Sequence, residues 1–126
     1  MGAMQRNKGG RGERTIVNKL KEHGFDGAKR NLMQTGYGGY DVTGLEPLAI
    51  EVKDHKALSV NTWWRQTTEN APGDLIPCLI YHIPNTSRWL VKVPMCTINP
   101  DLCSQRTVTM EFEDFVYIAR EVIAMR

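Results

Sequence analysis

The segment 48–53, with the sequence Leu-Ala-Ile-Glu-Val-Lys, carries an acidic and a basic side chain two residues apart. In a β-strand, successive side chains point to opposite faces. Ile50 and Val52 would therefore share one face, and Glu51 and Lys53 the other. A carboxylate and an ammonium group would project side by side. An exposed Glu/Lys pair on a half-buried strand has the same pattern, so the pair alone leaves both interpretations open.

A second carboxylate, Asp41, precedes Glu51 by ten residues. The segments 40–42 and 48–53 flank a turn at 43–47 and together are typical of a β-hairpin. If the turn centres near Leu45 and Glu46, the antiparallel register places Asp41 opposite residue 50 and within reach of Glu51. Two carboxylates can hold Mg²⁺, and a nearby lysine can steady an attacking water and charge on a phosphoryl oxygen. Asp41, Glu51 and Lys53 are thus candidates for phosphodiester hydrolysis.

A third carboxylate, Glu13, begins a helix predicted to run to His23. Ile16, Val17 and Leu20 form the apolar stripe of that helix. Glu13 lies three, four and seven residues before them and so falls on the face predicted to be buried. A buried carboxylate needs a partner or a metal. A glutamate at a helix start is also favoured by the helix dipole without burial, and both interpretations stay open.

The composition is that of one globular domain. The chain has 126 residues, 41% hydrophobic and 24% charged, which is ordinary for a soluble protein. We expect no membrane span and no secretory signal, because no apolar run is long enough. The odd number of cysteines, three, favours reduced thiols in the cytoplasm over a disulfide framework.

The charge is unevenly distributed along the chain. Residues 4–30 hold eight Lys and Arg against three Asp and Glu, a local charge of +5, and the remaining residues carry −3. A basic segment of this kind either binds a polyanion or is a solvated tail. We expect residues 1–12 to form a flexible basic arm, with 1–3 a cloning remnant, and residues 13–126 to form a single domain.

The hydrophobic pattern predicts an α/β fold with a mixed central sheet flanked by helices. Gly24 is the predicted stop of the first helix, and Ser59 is the predicted N-cap of a second that runs to Asn70. A nearly continuous apolar run follows at 75–83, typical of a strand covered on both faces. The expected elements are a helix at 13–23, a short strand leading into a flexible loop within 25–39, strands at 40–42, 48–53, 75–83, 88–93 and 107–110, a helix at 59–70, and a closing helix from Phe112.

The order and spacing of several motifs resemble those of archaeal-type Holliday-junction resolvases, which phages also carry and which belong to the restriction-endonuclease-like PD-(D/E)XK superfamily. The resemblance covers about residues 4–70. It rests on Gly12-Glu13-Arg14, His23-Gly24-Phe25, Arg30, a glycine-rich loop, Asp41 and Ile50-Glu51-Val52-Lys53.

The resemblance implies a homodimer that cuts four-way DNA junctions with Mg²⁺, for which Mn²⁺ can substitute. Asp41 and Glu51 would be metal ligands together with the carbonyl of Val52, Lys53 would position the water, and Glu13 would complete the acidic site. Arg14 and Arg30 would contact phosphates. The basic arm adds Arg6, Lys8 and Arg11 as DNA contacts, and Gln66 either supports the site or is a solvated helix residue.

Some positions depart from the pattern of the resolvases. Tyr40 replaces a proline, and Thr35 is only a stand-in for a loop serine. The loop 31–40 lacks Lys and Arg, so its DNA contacts would come from backbone amides and Tyr37. Two alternatives remain: a nuclease of the same superfamily that acts on flaps, ends or duplex DNA, and an inert DNA-binding module with this fold. We expect a cytoplasmic location, that of a host cell if the gene is viral, and no membrane partner.

Overall fold

The computed structural model describes residues 2–32 and 39–125, with side chains from residue 10 onward. These residues form an α/β fold in which three helices flank a six-stranded mixed sheet, as the hydrophobic pattern predicts. The elements in chain order are α1 (Gly2–Glu22), β1 (Lys29–Arg30), β2 (Val42–Thr43), β3 (Leu48–Lys53), α2 (Val60–Asn70), β4 (Ile76–His82), β5 (Trp89–Pro94), a 3₁₀ turn (Met95–Thr97), β6 (Thr107–Glu111) and α3 (Phe112–Met125).

The strands lie in the sheet in the same order as in the chain, from β1 to β6. Only β3 and β4 are parallel, and every other neighbouring pair is antiparallel. A parallel pair needs a long crossover. The chain supplies it with α2, which packs against β3 and β4. The centre of the sheet is therefore a β-α-β unit, and β3 carries the predicted chemical residues.

The predicted hairpin is present, but its register differs by one residue. Val42 pairs with Ile50 rather than with Ala49, although the Asp41 N–H still donates to the Ile50 carbonyl (2.7 Å). The expected register had Asp41 opposite residue 50. The difference arises in the turn, because the Leu48 N–H donates to the Leu45 carbonyl (2.9 Å) and moves the reversal toward the start of β3. Asp41 therefore keeps its expected place against residue 50, and its charge acts on the neighbouring Glu51.

Helix α1 begins at Gly2, well before the predicted start at Glu13. The glycine-rich composition of 4–12 suggested an irregular segment, yet the backbone there is helical. Gly12 lies where this helix passes the end of β3. A Cβ at this position would lie 3.1 Å from the Cβ of Asp54 and 3.5 Å from a methyl group of Val52. The absence of a side chain lets the helix pass close to the end of β3.

The predicted end of α1 at Gly24 is confirmed. Gly24 has a φ of 94°, a conformation that glycine adopts readily. The Phe25 N–H donates to the Leu20 carbonyl (3.0 Å) and the Gly24 N–H to the Lys21 carbonyl (3.0 Å). These two bonds form the Schellman pattern that closes many helices.

The sheet separates two apolar layers. On one face, α1 and α3 bury Ile50 and Val52 of β3 together with Phe112 and Phe115. On the other, α2 packs through Trp63 on Leu79 and Tyr81 of β4. Strand β4 is thus covered on both faces, as its apolar run predicts. Because side chains alternate, Glu51 and Lys53 lie on the α2 face, opposite Ile50 and Val52.

The start of α2 matches its prediction in position only. Ser59 occupies the N-cap position, but its side chain makes no capping hydrogen bond. The helix ends at Asn70, as predicted, and the chain leaves it at Ala71 in an extended conformation (ψ 129°).

Candidate active site

Asp41 and Glu51 form a buried carboxylate pair at the junction of β2 and β3. Asp41 is 7% exposed and Glu51 is 6% exposed. The Asp41 N–H donates to the Ile50 carbonyl (2.7 Å), and its Oδ2 accepts from the Val52 N–H (2.8 Å). These two contacts fix Asp41 against β3, so the predicted convergence of the two carboxylates is confirmed.

The environment of Glu51 disfavours its charged form. Burial and then the charge of Asp41 raise its pKa to about 8, and the charge of Glu13 adds to this. The charge of Lys53 and a hydrogen bond from the Asn70 side chain act in the opposite direction. The Oε1 atom of Glu51 is buried and has no hydrogen-bond partner among the described residues. A buried oxygen of this kind, beside a second carboxylate, is suited to receive a cation.

Lys53 lies two residues beyond Glu51 on the same face of β3 and is half-buried. Its register partner on β4 is Tyr81, whose ring stands against Trp63 at 6.1 Å between centroids. The apolar wall formed by Trp63 and Tyr81 borders the lysine on the side of α2. The charges of Asp41 and Lys53 both act on Glu51, so the three side chains lie near one another on this side of the sheet.

Glu13 is half-buried on α1 and has found a protein partner. Its Oε1 accepts from Nε of Arg30 on β1 at 3.1 Å. Its charge still raises the pKa of Glu51, which places Glu13 near the carboxylate pair. Of the two interpretations of Glu13, the structure supports the one in which the carboxylate is withdrawn from solvent and has a protein partner. A role of Glu13 as a metal ligand stays a prediction.

Arg14 and Arg30 converge above Gly10 of α1. A Cβ at Gly10 would lie 3.0 Å from Nη1 of Arg14 and 3.1 Å from Nη2 of Arg30. Both guanidinium groups therefore approach one point on the helix surface, and Glu13 neutralises only part of their charge. This arrangement is an electropositive site next to the carboxylate pair.

Asn70 is a site residue that the sequence analysis missed. From the last position of α2, its side chain lowers the pKa of Glu51 as a hydrogen-bonding neighbour of that carboxylate. An asparagine at a helix end has an ordinary local explanation, so only the packing of α2 on the sheet shows that it reaches the site. Gln66, the predicted support, lies half-buried one turn earlier on the same helix, and its role stays a prediction.

Of the remaining predicted DNA contacts, Arg6, Lys8 and Arg11 belong to α1. Arg11 is exposed. The side chains of Arg6 and Lys8, and the whole of Thr35 and Tyr37, lie outside the described residues.

The histidines and cysteines take no part in the carboxylate pair. His55 stacks on Trp63 at 5.2 Å, and Nδ1 of His82 lies 3.3 Å from Asp54 Oδ1. All three cysteines are free thiols, as predicted. Within residues 2–32 and 39–125, no group of three or more His, Cys, Asp or Glu side chains is arranged to hold a metal ion. A cation at this site would therefore combine two side-chain carboxylates with other oxygen ligands.

A scan against known protein families, a search among characterised proteins and a search among solved structures each find no match. Among the described residues, no helix has the length and apolar character needed to cross a membrane.

The raised pKa of Glu51 predicts a pH-dependent cost to stability in metal-free protein. Its pKa is about 8 in the folded chain against an ordinary value of 4.5. Below 4.5 the carboxyl is protonated in both states, and as pH rises toward 8 only the unfolded state gains by ionising. We expect Glu51→Gln to leave urea stability at pH 4.5 nearly unchanged, and to raise the free energy of unfolding at pH 9 by about 2–4 kcal/mol.

The measurement is urea denaturation of both chains in EDTA, with Glu69→Gln, an exposed glutamate of α2, as the matched control. The control should follow the wild type at both pH values. A Glu51→Gln chain that is less stable than wild type at pH 9 would show that the charged Glu51 carboxylate does not destabilise the fold.

Proposed function

We propose that this protein is a divalent-metal-dependent, structure-selective DNA endonuclease of the PD-(D/E)XK type that resolves four-way junctions. The observation that carries the proposal is the buried Glu51 carboxylate, which stands beside Asp41 and Lys53 with one oxygen unpartnered among the described residues. The order of motifs in residues 4–70 supports the same class of enzyme.

The residues at the site fit a hard divalent cation such as Mg²⁺, with Mn²⁺ as a substitute. Mg²⁺ is commonly held by one or two carboxylates and several waters. Asp41 and Glu51 would supply those carboxylates, and the Val52 carbonyl and Glu13 are further candidate ligands. A positive charge here would offset the burial and mutual repulsion that raise the pKa of Glu51. When bound, the cation would supply Lewis-acid polarisation of the phosphate and activation of a water.

The protein's own side chains would then orient the reaction. Asp41 is held by the Val52 N–H at 2.8 Å and presents a fixed carboxylate. Lys53, on the same strand face, would orient the attacking water and stabilise charge on a phosphoryl oxygen. The wall of Trp63 and Tyr81 limits water around Lys53, which strengthens these electrostatic contacts.

The paired arginines would bind phosphates of the DNA backbone. Guanidinium groups bind phosphates through charge-assisted, often bidentate hydrogen bonds. Arg14 and Arg30 approach one point beside Glu13, so they would hold a phosphate close to the carboxylate pair. A homodimer is part of the proposal, because two symmetric cuts in a junction need two active sites related by a twofold axis.

Replacing Arg14 by glutamine should weaken DNA binding and reduce its salt dependence. Loss of one phosphate contact lowers the slope of log K against log salt by about 1. Arg14 is chosen because its loss does not break the ion pair between Glu13 and Arg30. The measurement is fluorescence anisotropy on labelled junction DNA over a salt series in Ca²⁺. Arg106→Gln, which changes an exposed arginine before β6, should keep the wild-type slope. Equal slopes for both variants would remove Arg14 from the interface.

The proposed activity is tested by incubating the chain with labelled four-way junction, flap and linear duplex DNA in Mg²⁺. Paired symmetric cuts in the junction, with the linear duplex left intact, are the expected result. Similar cutting of all three substrates would indicate a general nuclease of the same superfamily. Binding of the junction without cutting in Mg²⁺ or Mn²⁺ would indicate an inert DNA-binding module.

A further inference from the structure

Asn70 contacts both segments that carry the carboxylate pair. Its side chain, although exposed, lies close enough to the Glu51 carboxylate of β3 to lower the pKa of that group as a hydrogen-bonding neighbour. It also packs on Gly39, two residues before Asp41. A Cβ at Gly39 would lie 3.3 Å from the Cγ of Asn70 and 3.5 Å from its Oδ1. Asn70 therefore occupies the space between the backbone leading to Asp41 and the carboxylate of Glu51.

The position of Asn70 is set by the packing of α2. Trp63 and Thr67 are the buried residues of this helix, and the Thr67 hydroxyl donates to the Trp63 carbonyl at 2.7 Å. Asn70 follows Thr67 by three residues, so it extends the same face toward the site. The Ala71 N–H makes the backbone bond that closes the helix, to the Thr67 carbonyl at 3.1 Å. The Asn70 side chain is thus not needed for that bond.

We propose that Asn70 is a positioning residue of the site, whose side-chain amide donates to the Glu51 carboxylate and fixes it with Oε1 available to a divalent cation. The cation in this inference rests on the proposed function, whereas the hydrogen bond does not. An amide donor suits this role because it stabilises a carboxylate without adding a charge that would repel a cation. Gly39 suits this place because a Cβ there would lie 3.3 Å from the Asn70 Cγ, so the amide would have to shift slightly.

The role in cation binding is tested by titrating Mn²⁺ into the full chain by calorimetry. Residues that hold a metal ligand in place typically change affinity by 10–100-fold when removed. We expect Asn70→Ala to raise the Mn²⁺ dissociation constant by about tenfold, with little change in the melting temperature measured in EDTA. Asn61→Ala, an exposed asparagine of the same helix, is the matched control and should bind as the wild type does.

Gly39→Ala provides an independent route to the same effect. Its Cβ would crowd the Asn70 amide and should weaken Mn²⁺ binding in the wild-type chain. In a chain that already carries Asn70→Ala, the Asn70 Cγ that makes the tightest contact is absent and only its Cβ remains, at an ordinary contact distance of 3.5 Å, so Gly39→Ala should cause little further loss. This non-additivity is the signature of two residues that act through one contact. Simple addition of the two losses would contradict the proposed arrangement.

The hydrogen bond itself is tested without metal, by following the side-chain amide resonances of Asn70 and Asn61 by NMR in EDTA. Glu51→Gln should move the Asn70 signals and leave those of Asn61 in place. Unmoved Asn70 signals, or wild-type Mn²⁺ affinity in Asn70→Ala, would overturn the inference while leaving the proposed function intact. Absence of Mn²⁺ binding by the wild type would refute the proposed function and the positioning role together, even if the NMR result showed the hydrogen bond.

Discussion

Glu51→Gln should reduce Mg²⁺-dependent junction cleavage by about a thousandfold or more while leaving junction binding intact. The substitution keeps the size of the side chain and removes the charge that would hold the cation. Glu51 is 6% exposed on the α2 face of β3, so the change leaves the apolar core between β3 and α1 untouched. The expected gain in stability at high pH separates this loss from unfolding. Single-turnover cleavage and anisotropy on the same labelled junction measure the two properties.

Glu69→Gln is the matched control for the loss of charge, because it changes an exposed glutamate on α2. It should cleave at the wild-type rate. Lys53→Met should also impair cleavage, but without weakening Mn²⁺ binding, because the ammonium acts on water and phosphate. Retention of full cleavage by Glu51→Gln would exclude this carboxylate from the reaction, whatever the protein binds.

Gly44→Ala should destabilise the fold by about 3 kcal/mol or more. Gly44 has a φ of 100° in the turn between β2 and β3. A Cβ there would lie 2.0 Å from the carbonyl oxygen of Gly27 and 2.6 Å from its carbonyl carbon. Both atoms belong to backbone, so the clash cannot be relieved by a side-chain rotation. Relief requires the turn to move, and with it the pairing of β2 with β3 that holds Asp41 near Glu51.

Two other glycines separate the clash from the backbone strain. Gly24 has a φ of 94° but open space around its Cβ position, so Gly24→Ala should cost only the strain, about 1 kcal/mol. Gly73→Ala meets neither problem and should change stability by less than about 1 kcal/mol in either direction. Urea denaturation of the three variants gives the comparison. If Gly44→Ala and Gly24→Ala lose the same free energy, the turn does not pack on Gly27 as described.

The sequence predicts the parts of this site that depend on local periodicity. Alternation along β3 assigns Ile50 to the core and Glu51 to the opposite face. The hairpin follows from the turn residues between two apolar segments. Both features are determined by residues close together in the chain, and both are confirmed.

Of the features that were missed, the hairpin register depends on a bond within the turn, and the other two depend on contacts between distant segments. The hairpin register differs by one residue because the Leu48 to Leu45 hydrogen bond sets the position of the reversal. Helix α1 extends to Gly2 although the composition of 4–12 suggested an irregular arm. Asn70 reaches Glu51 only because α2 packs on β4 through Trp63. None of these contacts has a signature in local sequence.

Anomalous diffraction from crystals soaked in Mn²⁺ most directly tests the central claim, that Asp41 and Glu51 form one divalent-cation site beside Lys53. We predict an anomalous peak within about 2.5 Å of a carboxylate oxygen of each residue. The same peak should disappear in crystals of Glu51→Gln. A wild-type crystal with Mn²⁺ bound only elsewhere, or with no peak between these two carboxylates, would contradict the account.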